Sequence, residues 1–269
     1  MSESQENHSL LLRVAYDGSR YSGFVPQTEV VTVADELLRA IRTMDPGAAN
    51  LRGTSRTDAG VHAEAQYVVF DTRKLIPPRG WALGLNHALP KDIAVRSVQY
   101  VPPGFAPRFH NKGKRYTYRV YANPLRHPFH EARAWHVTDE LAFDRIDREM
   151  QMVLGTHDFT AFCKQDDHRK DRTRTMFKVE RVDEGNSRFA LSIEGDGFLY
   201  NMVRILVGTW IDVGRGRLQE SATLRALASK RREDLGVTAP ALGLVLERVD
   251  LEIPSLTGLP TEFLGAWPS

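Results

Sequence analysis

Cysteine is nearly absent from this chain of 269 residues, in which Cys163 is the only one. A single cysteine excludes a disulfide framework and every zinc or iron–sulfur site built from several cysteines, and it suits a reducing compartment. Long apolar runs are lacking too, since no stretch approaches the ~20 residues of a membrane span. The opening residues, MSESQENHS, have neither a basic start nor an apolar stretch, so we expect no signal peptide. These absences predict a cytoplasmic protein that does not associate with membranes.

Sequence motifs for nucleotide cofactors and metals are also missing. Gly195-Asp196-Gly197 precedes a predicted helix, but Tyr200 stands where a dinucleotide-binding fingerprint needs its third glycine. The chain has no phosphate-binding loop pattern, and its nine histidines are scattered along the sequence. We therefore expect neither a cofactor nor a metal.

The net charge of +2 hides a strongly basic segment. Between Pro103 and Arg133 there is a single acid, Glu131, so the segment carries +6 and the rest of the chain −4. Six aromatic residues are interleaved with the basic ones, a composition suited to a polyanion with stackable bases. A solvated, charged edge above ordinary core aromatics is the alternative. The basic residues are Arg108, Lys112, Lys114, Arg115, Arg119, Arg126 and Arg133.

Hydrophobic periodicity and turn signals divide the chain into two mixed runs of strands and helices. Residues 10–16 predict a buried strand, Val33–Met44 an amphipathic helix capped by Thr32, and residues 202–213 a strongly apolar helix. Pro102-Pro103-Gly104 is the candidate linker. We predict an α+β protein with an N-terminal half over residues 1–104 and a C-terminal half over residues 105–269.

One short segment concentrates residues that could carry chemistry. Residues 54–63 join two predicted strands and place Arg56, Asp58 and His62 close together, while Gly60 allows a tight turn. A carboxylate on such a loop is well placed as a base or nucleophile. An aspartate that only stabilises its own turn is the commoner use of the residue.

Two further features lie in the second half. Arg204 is surrounded by apolar residues on the predicted helix, where a buried guanidinium needs a carboxylate partner unless its long stem carries it to the surface. On the predicted strand after residue 113, alternation places Tyr116 and Tyr118 on one face and Arg115 and Arg119 on the other. Core aromatics beneath solvated charges would give the same pattern.

These segments together resemble the TruA family of tRNA pseudouridine synthases. The signature is Arg56-Thr57-Asp58-Ala59-Gly60-Val61-His62-Ala63, and the resemblance covers roughly residues 10–252. Further matching segments follow in the family's order at residues 15–18, 21–23, 86–95, 105–109, 114–118, 155–162, 202–204 and 239–244. The chain departs from the family's usual residues at Phe24-Val25-Pro26, Ala34 and Ser55, and in the family the loop concerned helps to grip the RNA.

The resemblance implies an enzyme that isomerises uridine to pseudouridine in the anticodon stem-loop of tRNA, at positions 38, 39 and 40, without cofactor or metal. It implies Asp58 as a nucleophile that attacks either C6 of the base or C1′ of the ribose. Arg204 would pair with Asp58 and lower the pKa of that carboxyl, and Tyr116 would stack on the uracil. Arg56 would fill the space left by the extruded nucleotide. Further substrate-binding residues are Arg108, Lys112, Lys114 and Arg115.

The resemblance also sets the expected architecture. It implies two similar α+β halves whose antiparallel sheets join into one continuous mixed sheet flanked by helices, in a protein that acts as a homodimer. A pseudouridine synthase for other tRNA positions is one alternative, and a non-catalytic RNA-binding protein on the same scaffold is another. The presence of Asp58, Tyr116 and Arg204 together argues against the second, because simple binding needs no paired nucleophile and arginine.

Overall fold

The computed structural model describes residues 7–163 and 171–254 and the backbone of residues 263–264. The chain forms two compact units. Unit 1 comprises Met1–Lys112 with Arg248–Ser269, and unit 2 comprises Gly113–Glu247.

This division differs from the one predicted at residue 104, because the end of the chain returns to unit 1. The backbone nitrogen of Glu252 donates a hydrogen bond to the His110 carbonyl oxygen at 3.0 Å. Leu251 and Ile253 pack on a buried cluster that includes Leu11 and Phe105. These contacts join segments far apart in the chain, which local sequence patterns cannot relate.

Unit 1 is an antiparallel sheet with two helices. Its strands are β1 (His8–Tyr16), β2 (Ala49–Gly53), β3 (His62–Thr72), β4 (Ile93–Val101) and β11 (Phe263–Leu264), and its helices are α1 (Val33–Met44) and α2 (Pro78–Ala88). The strand order is β11-β4-β1-β3, with β2 also paired to β3 and every pair antiparallel.

The sequence explains these elements well. The run Leu10-Leu11-Leu12 of β1 is buried, as expected for a central strand. Helix α1 has the predicted bounds because Thr32 caps its start: the Asp35 backbone nitrogen donates to the Thr32 hydroxyl, and the Thr32 backbone nitrogen donates to the Asp35 carboxylate. The predicted strand over residues 10–16 and the predicted helix are both confirmed.

Unit 2 combines a sheet with three helices. Its strands are β5 (Asn111–Ala122), β6 (Trp135–Val137), β7 (Gly155–Asp158), β8 (Thr173–Gly185), β9 (Arg188–Gly195) and β10 (Leu244–Leu251), and its helices are α3 (Phe143–Gln151), α4 (Met202–Gly214) and α5 (Ala222–Ser229). The order is β10-β5-β9-β8-β7, and β6 runs parallel to β5, so the sheet is mixed. Strand β10 crosses the boundary between the units, since its residues from Arg248 onward belong to unit 1.

The α+β class is confirmed, with a mixed sheet and helices in the predicted order. Helix α4 is buried along nearly its whole length, as its apolar sequence predicts. Strand β7 is not predicted by the sequence, because Gly-Thr-His-Asp has neither a run of β-branched residues nor an alternation of apolar and polar residues. In the described part of the chain, every helix is too short or too polar to cross a lipid bilayer.

Candidate active site

The connection between β2 and β3 carries the signature residues in unit 1. Arg56 is exposed, Thr57 is buried and Asp58 is half-buried. Gly60 adopts φ +77°, a left-handed conformation that glycine tolerates, and the Val61 nitrogen donates to the Asp58 carbonyl oxygen at 3.1 Å. The connection therefore makes a tight turn directly after Asp58.

The start of this loop is fixed by Gln66 of β3, which is fully buried. Its Nε2 donates to the Ser55 carbonyl oxygen at 2.6 Å, and its Oε1 accepts from the Thr54 hydroxyl at 2.7 Å and from the Ser55 nitrogen at 3.2 Å. One amide side chain thus satisfies both backbone groups of Ser55. These hydrogen bonds hold the loop, and with it the loop's side chains, although the loop forms no regular strand.

The middle of the loop is held from β1 and from the segment after it. The Tyr16 hydroxyl lies 2.7 Å from the Thr57 hydroxyl oxygen, and the Phe24 nitrogen donates to the Thr57 carbonyl oxygen at 3.2 Å. Burial raises the pKa of Tyr16, despite its hydrogen bonds to Thr57 and Gln66, so its hydroxyl stays neutral. Gly23 has φ +92°, and a Cβ there would meet the Thr57 carbonyl oxygen at 2.7 Å. Only glycine fits this approach.

Three of the positions that depart from the family, Phe24, Ala34 and Ser55, are buried in unit 1. Phe24 is buried and stacks on Tyr16, with ring centroids 6.5 Å apart. Ala34 is buried at the start of α1, where its nitrogen donates to the Phe24 carbonyl oxygen at 3.1 Å. The backbone of Phe24 therefore links the Asp58 loop to the start of α1.

The far end of the loop packs against the turn after β1. His62 is buried, and its Nδ1 accepts a hydrogen bond from the Gly18 nitrogen at 3.0 Å. An Asp17 carboxylate oxygen lies 3.0 Å from the same His62 nitrogen. The third polar residue of the signature is thus a structural support in the protein interior.

In unit 2, Tyr116 lies on β5 and is buried, with 7% of its surface exposed. Its ring meets Phe198 edge to face, with centroids 5.1 Å apart and planes at 83°. Phe198 lies on the connection between β9 and α4. An edge-to-face contact of this kind fixes the plane of the tyrosine ring.

Arg204 lies in the first turn of α4 and is half-buried. Its Nε donates to the Ala239 carbonyl oxygen at 2.7 Å, and its Nη1 donates to Asn201 Oδ1 at 3.0 Å. Burial raises the pKa of Tyr118, and the positive charge of Arg204 opposes this rise. The Ala239 carbonyl and the Asn201 amide are both neutral acceptors, so these two groups orient the guanidinium without compensating its charge.

The predicted alternation on β5 is confirmed. Tyr116 and Tyr118 are buried, whereas Arg115 and Arg119 are partly exposed and form ion pairs. Arg115 Nε lies 2.6 Å from a Glu194 carboxylate oxygen, and this hydrogen bond raises the pKa of Arg115.

The other predicted phosphate contacts differ in their surroundings. Arg108 is exposed, and Lys114 is half-buried. Lys112 lies 3.1 Å from Glu252, with both side chains largely exposed. A surface pair of this kind contributes about 0–1 kcal/mol, so a phosphate can readily replace the glutamate.

Sequence reasoning missed three supporting residues. Gln66 is a polar residue within the apolar run of β3, which is a signal for a buried hydrogen-bonding role. Phe198 lies four residues before the start of α4 and Asn201 lies directly before it. The sequence of this segment indicates only a turn. Among the residues described, no three histidine, cysteine or acidic side chains are grouped so that they could hold a metal.

Comparison with known proteins adds independent information. Residues 13–110 and 150–251 match the sequence profile of a family described as tRNA pseudouridine synthase. The tRNA pseudouridine synthase A of Staphylococcus aureus strain JH1 is 39% identical over 245 residues, which cover 90% of this chain and 91% of that protein. The protein of the same name from strain MRSA252 is 38% identical, with 90% and 92% covered.

A solved structure of a Cbf5-Nop10-Gar1 complex also matches, more distantly. The identity is 13% and the TM-score 0.36, with 75% of this chain and 45% of that chain covered. A similarity this low carries no argument about function.

Proposed function

Because the chain belongs to the tRNA pseudouridine synthase family, we propose that it isomerises uridine to pseudouridine in the anticodon stem-loop of tRNA, at positions 38, 39 and 40. The observation that carries this proposal is the loop around Asp58. It presents a half-buried carboxylate on a turn whose backbone is held by buried hydrogen bonds from Gln66 and Phe24. A carboxylate held in this way has the chemistry of a nucleophile.

The reaction rearranges bonds within one nucleotide. The C1′–N1 glycosidic bond breaks, the uracil turns, and a C1′–C5 bond forms. C5 loses a proton and N1 gains one, so the reaction needs no oxidant, reductant or group donor. Asp58 attacks the nucleoside to begin this sequence and is released unchanged at its end.

Arg204 and Tyr116 have complementary roles in this proposal. The guanidinium of Arg204 pairs with Asp58 and keeps it ionised, because an opposite charge nearby favours the charged form of a carboxyl. Tyr116 stacks on the uracil and helps to remove the C5 proton. The neutral hydrogen-bond acceptors of Arg204 and the edge-to-face contact of Tyr116 with Phe198 support these assignments.

Binding of the tRNA draws on exposed basic residues. Arg56 fills the space left by the extruded nucleotide, a role supported by its exposure two residues from Asp58. Arg115 is paired with Glu194, so it contributes to tRNA binding only if a phosphate displaces that carboxylate. We propose phosphate contacts for Arg108, Lys112, Lys114 and Arg115. In keeping with the family, we further propose that the enzyme acts as a homodimer in the cytoplasm.

Release of tritium from tRNA labelled with 5-³H-uridine tests the proposal, since the C5 proton leaves only if the new bond forms. The modified positions are then mapped. Asp58→Asn keeps the shape of the side chain and should abolish turnover while tRNA still binds. Asp144→Asn, on the exposed side of α3, is the charge-matched control and should remain active.

The outcomes separate the candidate functions. Tritium release that maps outside positions 38, 39 and 40 would assign the enzyme to other tRNA positions. Binding without any release by the native protein would indicate a non-catalytic RNA-binding protein. Substantial release by Asp58→Asn would remove Asp58 from the nucleophile's role.

A further inference from the structure

The connection between β9 and α4 touches both residues of unit 2 to which the proposed function gives a part in the chemistry. Phe198 meets the Tyr116 ring, and Asn201 accepts a hydrogen bond from Arg204. We propose that Asn201 is a positioning residue that sets the direction of the Arg204 guanidinium, and so controls the rate of isomerisation and not the affinity for tRNA. This inference rests on the role proposed for Arg204.

The backbone of Asn201 is unusual for the start of a helix. It has φ +62° and ψ +2°, in the left-handed region, and it directly precedes α4. Asparagine tolerates this conformation better than most other residues with a side chain. The conformation therefore selects a small group of residues at this position, and asparagine is among them.

The Asn201 side chain is not used as a helix cap. An asparagine in this position usually accepts a hydrogen bond from a backbone nitrogen of the first turn, and Asn201 makes no such bond. Its Oδ1 instead accepts from Arg204 Nη1 at 3.0 Å, three residues further along. The start of α4 therefore lacks a common capping hydrogen bond, and the Asn201 side chain is instead a hydrogen-bond acceptor for Arg204.

A second acceptor fixes the other side of the guanidinium. Ala239 accepts from Arg204 Nε at 2.7 Å, and its own nitrogen donates to the Arg204 carbonyl oxygen at 3.0 Å. The segment before it is tied to α4, because the Gly236 nitrogen donates to the Thr209 hydroxyl at 3.1 Å and the Val237 nitrogen to an Asp212 carboxylate oxygen at 3.0 Å. The Ala239 carbonyl is therefore a rigid anchor.

Two acceptors at different nitrogens restrict rotation of the planar guanidinium more than either one alone. The Ala239 carbonyl fixes Nε, and Asn201 then sets the direction of Nη1. The amide matters chemically, because an aspartate at the same place would accept the same hydrogen bond and also compensate the charge. A neutral acceptor orients the arginine and preserves its attraction for an anionic partner.

The test compares three variants in single-turnover rate, tRNA dissociation constant and melting temperature. Asn201→Gly keeps the left-handed backbone and removes the acceptor. Asn201→Asp keeps the acceptor and adds a charge. Asn186→Gly is the matched control, because Asn186 is also left-handed, with φ +54°, in the exposed turn between β8 and β9.

We expect Asn201→Gly to lower the single-turnover rate constant about tenfold or more, the effect of one hydrogen bond to a charged group. Asn201→Asp should lower it at least as far. The dissociation constant for tRNA should stay within about twofold of the native value for both, and Asn186→Gly should behave as native. A native rate in either Asn201 variant, or a loss that appears only as weaker binding, would overturn the inference.

Arg204→Ala, measured in the same assay, separates this inference from the proposed function. If Arg204→Ala is inactive while Asn201→Gly has the native rate, only the positioning role of Asn201 is wrong. If Arg204→Ala itself has the native rate, the role proposed for the arginine fails first.

Discussion

Replacing Gln66 with leucine should release the loop that carries Asp58. Leucine is similar in size, so the change removes hydrogen bonds and leaves little cavity. The two backbone groups of Ser55 lose these hydrogen bonds, and the Thr54 hydroxyl loses its hydrogen bond to Gln66 Oε1. Each buried polar group left unpaired costs about 1–3 kcal/mol. The Ser55 groups alone therefore predict a loss of about 2–6 kcal/mol in the free energy of unfolding.

A second substitution, Gln66→Glu, turns the attraction between residue 66 and the Ser55 carbonyl oxygen into a repulsion when the glutamate is ionised. Gln66→Glu can still accept from Thr54 and from the Ser55 nitrogen, but as a carboxylate it cannot donate to the Ser55 carbonyl oxygen. Burial raises the pKa of a glutamate above its unfolded value of about 4.3. Its stabilising contribution is then fully present below about pH 4.3 and is lost as the pH rises through the folded-state pKa. The variant should approach the native stability near pH 4 and fall well below it at pH 8.

Urea denaturation and single-turnover pseudouridine formation measure these effects. Gln66→Leu should lower both the midpoint of unfolding and the rate, because displacement of a nucleophile by about 1 Å can cost a hundredfold in rate. Gln151→Leu, at the exposed end of α3, is the control for exchanging an amide for an apolar side chain. If Gln66→Leu stays within about 0.5 kcal/mol of the native protein and keeps its rate, Gln66 does not hold the loop.

Three further predictions address binding, chemistry and acid stability. Replacing Lys112 and Lys114 together with alanine should flatten the log–log dependence of tRNA affinity on salt by about 0.7–0.9 for each phosphate that is no longer neutralised. An unchanged slope would show that neither lysine neutralises a phosphate. Tyr116→Phe should keep tRNA affinity and slow tritium release. Tyr116→Ala should in addition lose about 1–3 kcal/mol of stacking free energy, measured in titrations with tRNA. Equal rates for the native protein and Tyr116→Phe would exclude the hydroxyl from proton removal. Burial raises the pKa of Asp71, but hydrogen bonds, foremost from Arg52, outweigh it and lower the pKa to about 2. About 2 kcal/mol of stability should therefore be lost as the pH falls from about 4 to about 2, and Asp71→Asn should lack this transition in acid unfolding curves.

The sequence predicted the elements that depend on neighbouring residues. Helix α1 was placed to the residue because Thr32 and Asp35 are three residues apart and form the capping hydrogen bonds themselves. The faces of β5 followed from alternation, with Tyr116 buried and Arg115 paired to an acid. Local patterns suffice where the partners are close along the chain.

The contacts that hold the site come from further away. Gln66 reaches back to Ser55 across a turn, and the Ala239 carbonyl reaches Arg204 from 35 residues along the chain. For Arg204, the apolar sequence around it predicts a carboxylate partner, and this pairing stays a prediction. The carbonyl and amide acceptors found in unit 2 could not be predicted, because any neutral acceptor brought close by the fold satisfies the same guanidinium nitrogens. The tertiary structure determines which acceptor lies close to Arg204.

The two units hold the side chains that we propose for catalysis, Asp58 and Arg204, by the same physical means. The Asp58 loop is fixed by the neutral side chain of Gln66, and Arg204 is fixed by neutral acceptors that include Asn201. A charged support would change the pKa of Asp58 or compensate the charge of Arg204, and so would alter the chemistry it was meant to hold in place. Neutral supports fix geometry alone, which is the form of preorganisation that lowers a barrier without stabilising the ground state. The neutral substitutions Gln66→Leu and Asn201→Gly should therefore lower the rate with no change in net charge, whereas substitution of Lys112 by alanine should change the affinity for tRNA and leave the chemical step intact.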